Sequence, residues 1–89
     1  AIGRLRSIRA TFHFARPVDP AHRLFARELG GGGILDIGCY PVSYARPVAG
    51  AALGRPFAEP ERFHGVAHRL AATGTDDCAA AVATFPGGI

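Results

Sequence analysis

Apolar and polar residues alternate from Leu5 to Phe14, with Leu5, Ile8, Ala10, Phe12 and Phe14 set against Arg6, Ser7, Arg9, Thr11 and His13. A period of two predicts a strand, and the slip at Ser7–Ile8 predicts a bulge in it. The prolines and Asp19 between Arg16 and Pro20 read as a loop. Ala21 to Leu29 reads as a short helical turn, which Gly30–Gly33 stop. The main helix is expected from about Gly33 to Val48, with Ile34, Gly38, Ala45 and Val48 on its core side. Pro41 and Pro47 both fall inside it. Each removes a backbone donor, and an interior proline costs a helix about 3 kcal/mol. A kink is therefore expected at Pro41, and Pro47 puts the last turn in question.

Gly50 to Pro60 is a turn-rich connection. Arg62–Leu70 and Asp77–Phe85 read as two further strands joined by Ala71–Asp76. So short a link suits an antiparallel pair better than a helical crossover. The order is β-α-β-β. The expected class is α+β: an open, mostly antiparallel sheet with one main helix packed on one face.

The helix carries chemistry as well as a core face. Residues at i and i+4 lie above one another, so Asp36 and Tyr40 share a stripe, and Ser43 falls on it too. An aspartate in the first turn has a plain role, since the positive end of the helix dipole stabilises its charge. Its other role is to orient a substrate hydroxyl or assist a proton transfer. Tyr40 is either a packed ring or a donor to substrate; acid–base work near neutrality would need a neighbouring cation or a bound cofactor. Arg23, ahead of the glycines, is either solvated or a fork for a polar substrate. Ser43 is a substrate contact or a helix-face hydroxyl. The four glycines lack G-x-G-x-x-G spacing and a parallel strand–turn–helix setting, so they read as a device for close backbone approach.

Eighty-nine residues make one small domain, and 48% hydrophobic content excludes a disordered tail. No apolar run approaches the roughly 18–20 residues that span a bilayer. The formal charge of +3 comes from arginines spread along the chain, whereas nucleic-acid binders gather theirs into a patch; neither nucleic acid nor membrane is expected as a partner. His64 and His68 share a strand face without a third ligand or a zinc pattern, so no metal is expected. Cys39 and Cys78 read as small buried residues, reduced in a cytoplasmic setting. The chain contains no methionine and no lysine, and it stops just after a Pro86-Gly87-Gly88 turn. It is expected to be a piece of a longer protein.

From Asp19 to Gly50 the chain resembles the second domain of the Gfo/Idh/MocA family of NAD(P)-dependent oxidoreductases. The likeness rests on Arg23-Leu24, on Glu28-Leu29 before the four glycines, and on Asp36-Ile-Gly-Cys-Tyr-Pro-Val-Ser43. Ile8–Phe14 and Ala81–Gly88 extend it to nearly the whole chain. The resemblance implies that residues 1–89 are part of a C-terminal substrate and catalytic domain, with the nucleotide-binding Rossmann domain absent from this chain. NAD or NADP would be held mainly there, beside the lysine of a Glu-Lys-Pro motif. It implies hydride transfer to or from a sugar, polyol or related diol, with Asp36 and Tyr40 at the catalytic centre and Arg23 and Ser43 on the substrate. The chain alone is then expected to be inactive. Family likeness also suggests a homo-oligomer in the parent protein. The alternative role is a non-catalytic sheet module that mediates oligomerisation.

Overall fold

The computed structural model describes residues 3–89. A turn at Pro20–Phe25 leads into a single 3₁₀ turn, Arg27–Leu29, which Gly30 closes in the left-handed conformation. A π turn, Ile34–Gly38, runs directly into helix α1, Cys39–Ala52. After a coil come strands β1, Arg62–Arg69, and β2, Asp76–Thr84. The two form an antiparallel ladder, Arg62 opposite Thr84 and His68 opposite Cys78. The class is α+β with an open antiparallel sheet, as the pattern of residues implied.

The N-terminal segment departs from expectation. Leu5–Phe14 pairs with nothing and is not a strand. Alternation fits a residue to a pleated surface, but a strand exists only where another edge accepts its hydrogen bonds. Among the described residues the segment joins neither outer edge of the β1–β2 pair, and it touches the rest of the molecule through side chains. Ile8 packs on the core, and the Arg4 guanidinium donates to the Gly87 carbonyl at 3.0 Å.

The helix survives both prolines. Ahead of Pro41 the backbone widens: the Cys39 amide donates to the Ile34 carbonyl, five residues back. Such a π turn shifts the carbonyls that a proline ring would otherwise meet. The Cys39 thiol lies 3.9 Å from the carbonyls of both Leu35 and Asp36, a weak donor beside loosened acceptors. The expected kink is thus a change of helical register. Beyond Pro47 the last turn persists to Ala52, four residues past the expected end, because tertiary packing holds it. Ala49 is fully buried, and the Ala58 amide donates to the Arg46 carbonyl at 3.0 Å. A methyl on Gly50 would overlap the backbone of Phe57.

The core is small. Ala49, Ala58 and Phe85 form it, with Ile8, Ala45, Leu53, Ala83 and Ile89 packed around them. It sits at the end of the ladder, where Ala83 and Phe85 meet α1, so most of the ribbon is exposed on both faces. Ile34, expected on the core side, is exposed, since it lies in the widened turn away from this cluster. Cys39 and Cys78 are likewise exposed, not buried, and free. The radius of gyration is 15.5 Å, with extents of 46 × 22 × 19 Å, against about 12 Å for a compact chain of this length, so the molecule is elongated.

Candidate functional site

Asp36 sits in the π turn, and its amide donates to the Gly32 carbonyl at 3.1 Å. Its carboxylate meets the Arg23 guanidinium at 3.5 Å, the aspartate side chain 24% exposed and the arginine 70%. Arg23 is carried by the turn that precedes the glycines. That turn is fixed by the Phe25 and Ala26 amides on the His22 carbonyl and by the Gly32 amide on the Leu24 carbonyl. The sequence-predicted Arg23 and Asp36 are therefore brought together as a pair open to solvent.

Tyr40 lies four residues after Asp36, at the start of α1, and is exposed. Its ring stacks on Phe12, with centroids 5.7 Å apart and planes at 28°. Offset stacking of this kind contributes about 0.5–1.5 kcal/mol and restrains the Tyr40 ring against the N-terminal segment. Phe12 was legible only as a strand residue, and nothing in the local pattern marks it as the partner of Tyr40. Ser43 is exposed one turn further along α1 and makes no side-chain hydrogen bond among those of the described residues. It joins the group by helix position alone.

Two residues outside the predicted set hold this geometry. Asp76, the first residue of β2, accepts the Ile34 amide at 2.7 Å through Oδ2. Thr75, 6% exposed, donates its hydroxyl to the Phe25 carbonyl at 2.9 Å. The helix start has no capping side chain of its own, since Gly33 precedes it, and Asp76 supplies the missing acceptor from 42 positions away. The one available signal was a helix opened by glycines with no Ser, Thr, Asp or Asn at its cap. At the neighbouring position Asp77 bonds the His68 ring at 2.6 Å, where the ladder skips a residue. Such a bulge re-aims side chains, and it leaves Asp76 directed at the helix.

The sheet is antiparallel, and the clefts are open and small. One, of about 220 Å³, lies between Arg27, Ile34, Arg69 and Asp76. The other, of about 400 Å³, lies between Arg4, Leu53 and Ile89. Among the described residues no group of three metal-ligating side chains converges, and no helix is long and apolar enough to cross a membrane.

The described residues thus combine an antiparallel ribbon with a helix entered through glycines, the Arg23–Asp36 pair lying at that entry. The chain belongs to the GFO/IDH/MocA C-terminal domain family, whose model matches residues 1–89. It is 36% identical to an uncharacterized oxidoreductase of Rhizobium meliloti over 87 residues, 98% of this chain and 24% of that protein. It is 36% identical to the trans-1,2-dihydrobenzene-1,2-diol dehydrogenase of Mus musculus, over 99% of this chain and 24% of that one. The Xenopus laevis protein of the same name is 46% identical over 48 residues, 54% of this chain and 14% of that one. The chain thus spans about a quarter of the length of the relatives that match it throughout. No solved structure matches it.

Proposed function

We propose that residues 1–89 are the substrate-facing part of an NAD(P)-dependent oxidoreductase that acts on a sugar, polyol or related diol. The nicotinamide cofactor would be carried by a Rossmann domain outside this chain and would supply the hydride chemistry. The observation that carries the reading is the Arg23–Asp36 pair, with Tyr40 four residues further along the chain at the start of α1. Two acceptor oxygens on Asp36 suit two neighbouring hydroxyls, and the contact with Arg23 orients that carboxylate. The Tyr40 hydroxyl would donate to the oxygen on the reacting carbon or accept its proton, relaying it to a base in the other domain. The stacked rings of Phe12 and Tyr40 present an apolar wall, which favours a cyclic diol over an open-chain polyol. That preference agrees with the substrate in the names of the Mus musculus and Xenopus laevis relatives.

The test is steady-state kinetics on the full-length protein with NAD or NADP, a sugar panel and trans-1,2-dihydrobenzene-1,2-diol. Asp36→Asn should lower kcat/KM by about 10²-fold or more, the usual scale for loss of a positioned polar group in acid–base catalysis. Unchanged turnover in a folded Asp36→Asn protein would sink the proposal. Residues 1–89 alone should show no turnover.

A second reading rests on a separate observation. Phe63, Val66 and Val82 stand exposed on the ribbon, and an isolated two-stranded hairpin is marginal in water. We propose as the alternative that this ribbon mediates oligomerisation. Val82→Lys should then dissociate the full-length protein in sedimentation, and Asp36→Asn should leave activity untouched.

A further inference from the structure

The Arg23–Asp36 pair joins two segments that share no secondary structure: the turn before the glycines and the π turn after them. Each is tied to one of two adjacent residues of the β1–β2 hairpin. Thr75 bonds the Phe25 carbonyl, two residues after Arg23. Asp76 bonds the Ile34 amide, two residues before Asp36. Gly32 makes this approach feasible: its φ is +117°, and a methyl there would overlap the Asp76 carboxylate. We propose that Thr75 and Asp76 are positioning residues for the site, setting the separation and angle of Arg23 and Asp36 without touching substrate. The inference rests on the reading that Asp36 contacts substrate.

The chemistry favours Asp76 for the task. An ionised carboxylate forms a short, strong bond to an amide at a helix start and is stabilised there by the dipole. It sits on a ladder end held by Arg69 opposite and by the Asp77 bulge beside it, so its position is set by the hairpin rather than by the helix it caps. The Ile34 amide is one of the groups a helix start leaves without an internal partner. Losing the acceptor frees the turn that carries Asp36, and a displacement near 1 Å at a reacting group costs about 10²-fold in rate.

The experiment uses the full-length protein and trans-1,2-dihydrobenzene-1,2-diol with NAD or NADP. Asp76→Ala should lower kcat by about tenfold or more while KM changes less, because orientation is lost and the contacting groups remain. Asp76→Asn keeps an acceptor oxygen and should recover most of that loss. Amide exchange supplies a readout independent of activity: the Ile34 amide should be protected in the native protein, exposed in Asp76→Ala and protected again in Asp76→Asn. Gly32→Ala should also impair kcat, since its methyl would overlap the Asp76 carboxylate and its backbone would be strained at that φ. If Asp76→Ala does not fold, the native Ile34 amide and the Asp76→Asn protein decide the matter. An unprotected native Ile34 amide, or wild-type kcat in Asp76→Ala while Asp36→Asn is impaired, overturns the positioning role alone. Full activity in Asp36→Asn overturns the functional reading and the inference with it.

Discussion

The Arg23 guanidinium and the Asp36 carboxylate stand 3.5 Å apart across a loop of glycines, thirteen positions separated in the chain. An ion pair this exposed contributes at most about 1 kcal/mol to stability. Arg23→Ala should therefore leave the melting temperature of the full-length protein almost unchanged. If the pair orients Asp36 for substrate, the same variant should raise KM by about tenfold, equivalent to the ~1.4 kcal/mol of a modest charge-assisted contact. Thermal melts and initial-rate kinetics on one preparation check both halves.

Tyr40 separates hydroxyl from ring. Tyr40→Phe keeps the stack on Phe12 and removes only the phenol oxygen. Turnover should fall by about 10²-fold with the melting temperature intact. Phe12→Ala should do the reverse, costing about 0.5–1.5 kcal/mol of stacking and disturbing KM more than kcat. Wild-type kcat in Tyr40→Phe would remove the phenol from the proton pathway.

Thr75 is the buried hydroxyl of the hairpin loop. Thr75→Val preserves shape and strips the donor from the Phe25 carbonyl, which should cost about 1–3 kcal/mol. Thr75→Ser should retain most of that stability, so a chemical-denaturation series over the three proteins separates packing from the hydroxyl's bonds to the Phe25 carbonyl and the Thr73 hydroxyl.

Gly50 tests what holds the end of α1 beyond Pro47. The overlap between an added methyl and the Phe57 backbone predicts that Gly50→Ala is destabilising by about 1–3 kcal/mol, despite alanine's better helix propensity. A more stable Gly50→Ala protein would show that the Phe57 contact is loose.

Cys39 and Cys78 are exposed and free. Both thiols of residues 1–89 should react with a disulfide reagent under native conditions, without denaturant. One silent thiol would mean that its surface is covered in solution.

Much of the architecture was written locally. The ladder of β1 and β2 followed from two apolar-rich runs with a link too short for a crossover. The helix followed from its periodicity, and the stop of the first turn from Gly30, which takes the left-handed conformation. Each of these depends on neighbours in sequence, so each was legible there.

What the sequence could not contain was which distant groups would meet. Leu5–Phe14 has the alternation of a strand, but pairing is a tertiary event, and among the described residues the segment joins neither outer edge of the ribbon. Pro47 should end a helix, yet burial of Ala49 and the close approach of Gly50 to Phe57 outweigh one lost hydrogen bond. The cap on the helix start comes from Asp76, because Gly33 has no side chain to provide one and the hairpin brings a carboxylate to the same amide. Local periodicity determined the elements and the candidate stripe. Only the tertiary contacts of Thr75, Asp76 and Phe12 decided how Arg23, Asp36 and Tyr40 are presented, because those contacts depend on distances in space rather than on intervals along the chain.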